Sequence, residues 1–157
     1  MKRLWAFSYT SKNKGKKMSY SKWFKEHGKK HKKIIEKLSY LKDNELIEYF
    51  RFENMVKNEH NFCPLYADNK KCHDNEALNC YFCACPNFRF KDNGFKKHDK
   101  RTLFSICNIN SKEGSQYISE DAIHQNCAGC FVPHSENYIK KYFTRDWFDA
   151  MKKVNNN

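Results

Sequence analysis

A small, irregular α+β fold whose centre is held by metal is what this sequence predicts, on three observations. Helical periodicity is confined to the two ends of the chain, the stretch from Asn61 to His134 has none, and that stretch holds all eight cysteines. Thiolates and imidazoles arriving in close pairs are the usual donors to tetrahedral zinc. Aromatics make up 16% of the 157 residues, but charged residues make up 31% and mean hydropathy is -0.96. The apolar core is therefore modest, and ligand bonds are a common supplement in such cases.

Taken in order, residues 4–9 alternate weakly as a short strand, and residues 11–17 read as a polar loop. Ser21 is a candidate N-cap for a helix in which Trp23, Phe24, His27, His31, Ile34, Ile35, Leu38 and Leu41 follow helical spacing and lysines fill the other faces. Gly28 within it costs about 1 kcal/mol relative to Ala. His27 and His31, four residues apart, continue the apolar stripe and read as packing residues. Asp43 caps a second helix, with Glu45 and Glu48 where they complement its dipole. Leu46, Ile47, Tyr49, Phe50, Phe52, Met55 and Val56 make this helix apolar nearly all round, so it is expected to be buried between the basic helix and the cysteine-rich centre. Phe88-Arg89-Phe90 and Phe95 flank Asp92-Asn93-Gly94, a hairpin signal, and Thr102 to Ile106 alternates as a strand. Ser135 caps a last helix carrying Tyr138, Ile139, Tyr142, Phe143, Trp147, Phe148 and Met151. The division expected is a basic helical arm, 1–58, and a cysteine-rich metal-binding domain with a C-terminal helix, 59–157.

Net charge is +12, and residues 1–42 carry all of it, with fourteen Lys or Arg against Glu26 and Glu36. The first residues are basic but lack a signal-peptide apolar run, and no stretch of eighteen apolar residues occurs anywhere. A cytoplasmic protein with no membrane partner is expected. Its thiols should then remain reduced and available as ligands.

Ten residues are candidate ligands: Cys63, Cys72, His73, Cys80, Cys83, Cys85, Cys107, Cys127, Cys130 and His134. Ten candidates suit two Zn2+ ions with closed, four-ligand sites, although the partition between them is not deducible from spacing. Cys80/Cys83 and Cys127/Cys130 have Cys-x2-Cys knuckle spacing, and a helix follows the second pair. Knuckle, hairpin, second knuckle and helix make a treble-clef-like plan, with these four thiols the first choice for one site. The alternative is an iron–sulfur cluster, because Cys80-x2-Cys83-x-Cys85-Pro86 approaches ferredoxin spacing; its third thiol comes one residue too early.

Lys71-Cys72-His73, Asn79-Cys80-Tyr81-Phe82-Cys83-Ala84-Cys85-Pro86, and Cys127-Ala128-Gly129-Cys130-Phe131-Val132-Pro133-His134 followed by Asn137-Tyr138-Ile139 together resemble the cysteine-rich small domain family of bacteria and archaea. The resemblance spans roughly residues 61–143. It departs from the family pattern at Lys71, where Pro is usual, and at Asn87-Phe88, where Leu-Tyr is usual. It implies a zinc-finger-like metal-binding domain. Some family members are attached to proteins of cobamide metabolism, which implies an accessory role in corrinoid or metal handling as one alternative.

For function, the leading expectation is a structural-zinc module contacting RNA or another polyanion. Lys22, Lys25, Lys29, Lys32 and Lys33, extended by Lys12, Lys14, Lys16, Lys17, Lys30 and Lys37, are placed to neutralise phosphates. Arg89, Lys96 and Lys97, interleaved with Phe88, Phe90 and Phe95, combine charge with stacking rings. The alternative is a metalloenzyme with an open zinc or an iron–sulfur centre, in which Glu120, Asp121 and His124 would be acid–base candidates. No nucleophile elbow, phosphate loop or dinucleotide fingerprint occurs, and the balance leans away from an enzyme.

Overall fold

The structure, a computed structural model, describes residues 19–155. Among these residues are five α-helices and two small sheets, an α+β arrangement. The expected strand over residues 4–9 and the lysines at 12, 14, 16 and 17 lie outside the described residues. The chain divides into two compact units, each assembled from separate stretches.

The first unit comprises, among the described residues, 19–25, 87–130 and 153–155. It holds both sheets. β1 (Phe88–Phe90) pairs antiparallel with β4 (Ser105–Cys107). The second sheet runs β2 (Lys96–His98), β3 (Arg101–Leu103), β6 (Ala122–Asn126), β5 (Ser115–Ile118). Its inner pair is parallel, with Thr102 opposite Ala122 and Leu103 opposite Ile123. The Asp92-Asn93-Gly94 turn forms as its composition predicts, with Gly94 at φ +80° and its N–H bonded to the Lys91 carbonyl at 2.9 Å. It does not close a hairpin, because the strands on either side of it pair elsewhere. Nor is Thr102 to Ile106 one strand. Phe104 forms a corner: its N–H donates to the Ile123 carbonyl at 2.9 Å, its own carbonyl accepts from Lys91 at 3.1 Å, and the residues before and after it join different sheets.

Helix α1 (Tyr20–Lys37) begins in this unit. Ser19, not Ser21, supplies the cap, its Oγ accepting from the Lys22 N–H at 3.2 Å. Ser21 is buried, and its hydroxyl donates to the Asp92 carboxylate while accepting from Asn155 Nδ2 at 2.7 Å. Beside it the Tyr20 ring packs on Phe90 and Phe88, with centroids at 4.4 and 5.6 Å.

The second unit comprises residues 26–86 and 131–152. It contains the rest of α1, then α2 (Asp43–Tyr49), α3 (Phe52–Asn58), a 3-10 turn at Pro64–Asp68, a second at Val132–His134, α4 (Glu136–Lys141) and α5 (Trp147–Ala150). The helix expected after Asp43 is thus two helices. The break falls where Leu78 to Cys80 pair with the chain at Phe50 to Phe52: Phe52 N–H donates to the Leu78 carbonyl at 3.0 Å and Cys80 N–H to the Phe50 carbonyl at 2.8 Å. Those bonds require an extended Arg51, at φ -59° and ψ 141°, which a helix cannot supply. Asp43 is the first helical residue rather than the cap, and the Glu45 carboxylate accepts from the Lys42 N–H at 2.7 Å.

The last helix is also divided. Ser135 occupies the cap position of α4 without a side-chain cap bond, whereas Asp146 caps α5 by accepting from the Phe148 and Asp149 N–H groups. Between them Arg145 reaches Asp43 and the Leu41 carbonyl, both at 2.7 Å, and Tyr81 donates to the Thr144 carbonyl at 2.8 Å. These tertiary bonds take the backbone and side chains that a continuous helix would need. No helix among the described residues is long and apolar enough to cross a membrane.

His27 and His31 sit inside the aromatic core of this unit. His27 lies against Phe62 and Trp147, with centroids at 4.5 and 5.4 Å, and His31 against Phe50 and Tyr81, both at 4.8 Å. Burial drives both imidazoles down to about 3, so both are neutral in the fold. An unfolded chain takes up a proton on each below its ordinary value near 6.5. Stability is therefore complete above pH of about 6.5 and falls as pH drops towards 3, by up to about 1.4 kcal/mol per pH unit for each ring. Urea unfolding at stepped pH should show this slope, and a His27→Met/His31→Met variant should flatten it. Gly28 provides a second test. A Cβ there would come within 2.8 Å of the Trp147 ring and closer still to Phe148. Gly28→Ala should lower the unfolding free energy by about 1–3 kcal/mol through overpacking, despite a helix-propensity gain of about 1 kcal/mol.

Candidate metal centre

The backbone pairing that breaks the second helix also positions the site. Asn79 is fully buried in the paired segment; its Nδ2 donates to the Ile47 carbonyl at 2.8 Å and its Oδ1 accepts from the Tyr81 N–H at 2.9 Å. Its N–H donates to the His134 carbonyl at 3.3 Å, and its carbonyl meets His134 Nδ1 at 2.9 Å. Glu136, just after His134, pairs with Arg51 at 2.6 Å. The 3-10 turn Val132–His134 is thereby clamped against the start of the first knuckle.

This brings Cys72, His73 and His134 together: one ligand atom from each lies within 4.8 Å of the other two. Cys72 Sγ is 3.9 Å from His134 Nε2. Sulfur and nitrogen bound to one tetrahedral zinc would stand roughly 3.5 Å apart, given their usual bond lengths. Closure to that spacing needs a shift of only a few tenths of an ångström. The His73 and His134 rings are tilted against each other, with centroids at 4.7 Å, and Phe131 covers the His73 edge at 5.6 Å.

Electrostatics set the protonation of the group. Burial lowers His134 to about 4, so the ring is neutral. A carbonyl can only accept, which puts the single ring proton on Nδ1, towards Asn79, and leaves the Nε2 lone pair facing Cys72. Such a carbonyl-held imidazole is how metal-ligating histidines are commonly oriented. Burial pushes the Cys72 thiol up to about 12, and Cys80 and Cys63 push it the same way. Cys80 is likewise held up at about 12 and Cys83 well above its ordinary value, burial coming first in both and Cys63 adding to both. Cys63 thus adds to the rise at Cys72, Cys80 and Cys83, and is itself raised by burial. Backbone amides of Leu65 and Tyr66 aim at the Cys63 sulfur, and that of Ala84 at Cys83. The Tyr66 phenol, buried beside Cys80 without a hydrogen bond of normal geometry, is kept protonated by burial and by these neighbours.

Of the ten residues expected as ligands, seven fall in the second unit: Cys63, Cys72, His73, Cys80, Cys83, Cys85 and His134. Cys107, Cys127 and Cys130 fall in the first. The quartet Cys80, Cys83, Cys127 and Cys130 takes two thiols from each unit. Both knuckles form their turns, with Cys83 N–H on the Cys80 carbonyl at 3.3 Å and Cys130 N–H on the Cys127 carbonyl at 3.0 Å. Ala84 and Cys85 follow the first at positive φ, 85° and 58°. His124 stacks on Phe104 at 5.2 Å, Asp121 accepts from Ser119 at 3.1 Å, and Glu120 is exposed. None of the three belongs to the Cys72/His73/His134 group.

Sequence reasoning missed Asn79 as the residue that orients His134. The only signal was its place immediately before the first knuckle, since backbone acceptors carry no residue signature. Comparison with protein-family models, curated proteins and solved structures finds no match for this chain.

A bound divalent cation would replace the Cys72 proton and join stretches 62 residues apart. Saturating Zn2+ should raise the thermal midpoint, and Cys72→Ser or His134→Gln should abolish most of that rise. Calorimetry with and without Zn2+, then with chelator, measures both effects.

Proposed function

We propose that the protein is a structural-zinc module that contacts RNA or another polyanion through the exposed lysines of α1. The observation that carries the metal part is the Cys72/His73/His134 group with His134 already held in the ligating tautomer. The residues present suit zinc, which takes thiolate and neutral imidazole together. The fourth position would be filled from the thiols beside Cys72, namely Cys63, Cys80 or Cys83. Closure by thiolate favours a structural ion over a catalytic one, which keeps a water in that position. An iron–sulfur or open-zinc metalloenzyme, or an accessory role in corrinoid or metal handling, is the competing reading. The treble-clef-like arrangement and membership of the cysteine-rich small domain family belong to this proposal, on the motif order given above.

The polyanion part rests on charge placement. Lys22, Lys25, Lys29, Lys32 and Lys33 are all exposed on α1, at spacings that repeat with the helix. Lys29 and Lys32 are partly engaged by Glu26 and Glu36, at 3.3 and 4.0 Å, while Lys22, Lys25 and Lys33 have no carboxylate partner among the described residues. Lys96 and Lys97 are exposed on β2. The stacking contribution is smaller than the sequence suggests. Phe90 is buried and Phe88 packs on Tyr20, which leaves Phe95 as the exposed ring, and the half-buried Arg89 donates to the Phe88 carbonyl at 2.8 Å.

Elemental analysis and an absorption spectrum of anaerobically purified protein test the metal: colourless protein with zinc is expected, and a brown iron-containing species would overturn it. For the polyanion, the affinity for single-stranded RNA is measured against salt. The triple variant Lys22→Glu/Lys25→Glu/Lys33→Glu should reduce the slope of log affinity on log salt by about 2, and an unchanged slope defeats the reading.

A further inference from the structure

The first unit contains a second thiol grouping, built by different elements. The parallel pairing of β3 with β6 sets residues twenty apart side by side, Thr102 with Ala122 and Leu103 with Ile123. The offset persists past the corner at Phe104, because the Gln125 N–H donates to Ser105 Oγ at 2.7 Å. Two residues further along each run stand Cys107, the last residue of β4, and Cys127, the first residue after β6. Each then enters a turn. Cys107 accepts at its carbonyl from the Asn110 N–H at 3.3 Å, with Asn110 at φ +46°, and Cys127 accepts from the Cys130 N–H at 3.0 Å.

Ser111 joins the two turns. Its backbone N–H points at Cys107 Sγ at 3.5 Å, and its Oγ lies 3.4 Å from Cys130 Sγ. The same Oγ also accepts from the Glu113 N–H at 3.4 Å. Ser111 thus stands within hydrogen-bonding reach of both the Cys107 and the Cys130 sulfur. The loop also lies close to the second knuckle: a Cβ on Gly129 would stand 3.2 Å from the Glu113 carbonyl.

We propose that Cys107, Cys127 and Cys130 bind a second Zn2+ ion, with Ser111 orienting two of the three thiolates. Binding exchanges three thiol protons for the cation and involves no oxidation. The three sulfurs are not gathered as tightly as the Cys72/His73/His134 group, and the cation draws them in. This partition separates Cys127 and Cys130 from Cys80 and Cys83, against the pairing that knuckle spacing alone suggests, and it stands independently of the Cys72/His73/His134 site.

The test uses the full chain, purified anaerobically, reduced and loaded with Zn2+, then treated with a thiol-alkylating reagent before and after chelation. Peptide mapping should show Cys107, Cys127 and Cys130 shielded in the loaded protein and alkylated together once chelator is added. Alkylation of these three at the chelated rate while zinc is bound overturns the site. So does shielding that survives chelation and yields to reductant, because that is a disulfide. A Cys107→Ser/Cys130→Ser variant should bind one Zn2+ fewer per chain than the unmodified protein, and an equal content overturns the assignment. Should that variant not fold, Ser111→Ala retains every ligand and should weaken zinc retention at these three cysteines by about tenfold or more, with Cys72 unaffected. Unaltered retention in Ser111→Ala removes the role given to Ser111.

Discussion

A short run of backbone pairing, Leu78 to Cys80 against Phe50 to Phe52, governs the second unit. Buried amides must find partners, and here they find them on a segment 28 positions away, Asn79 against Arg51, rather than in the next helical turn. That choice ends α2, starts α3 and sets Leu78 to Cys80 against the junction between the two helices. It also exposes one carbonyl, that of Asn79, to His134. The metal-ligating tautomer of His134 is thus a by-product of how two segments satisfy their hydrogen bonds.

Around this pairing the unit concentrates groups that would titrate in water and holds them neutral. His27, His31 and His134 are uncharged imidazoles, and Cys72, Cys80 and Cys83 are protonated thiols. Burial is the largest cause in every case. Desolvation of one charge in such surroundings outweighs what a neighbouring dipole returns, so the metal-free interior stays uncharged. A divalent cation reverses the balance for the thiols, because each thiolate then faces a full opposite charge at bonding distance. His27 and His31, packed among aromatic rings, serve as shape-filling rings.

Some local signals in the sequence held, while the cap readings did not: Ser19 rather than Ser21 caps α1, and Lys42 rather than Asp43 precedes α2. Of the stripe read from Trp23 to Leu41, Trp23 to Ile35 lies in α1 and Leu38 and Leu41 fall beyond its end at Lys37; Asp92-Asn93-Gly94 is a turn, and the two Cys-x2-Cys pairs turn as their spacing requires. What spacing could not carry is partnership over distance. An apolar run from Leu46 to Val56 reads as one helix because nothing within it announces that Leu78 and Cys80 will claim the backbone at Phe50 and Phe52. Thr102 to Ile106 reads as one strand because the alternation is blind to a corner at Phe104. For the site, residue type singled out Cys72, His73 and His134 among ten, but their grouping depends on Asn79 through its main chain. Ser111 was invisible for a similar reason: its role comes from standing between two turns, with no feature of its own.

Raised thiols are poor nucleophiles. At neutral pH a group held near 12 exists as thiolate in only about one part in a hundred thousand, and the thiolate is the species that attacks oxidants, electrophiles and other disulfides. Cys72 and Cys80 are therefore chemically quiet thiols. At these two positions the desolvation that opposes ionisation also protects against peroxide and mispairing.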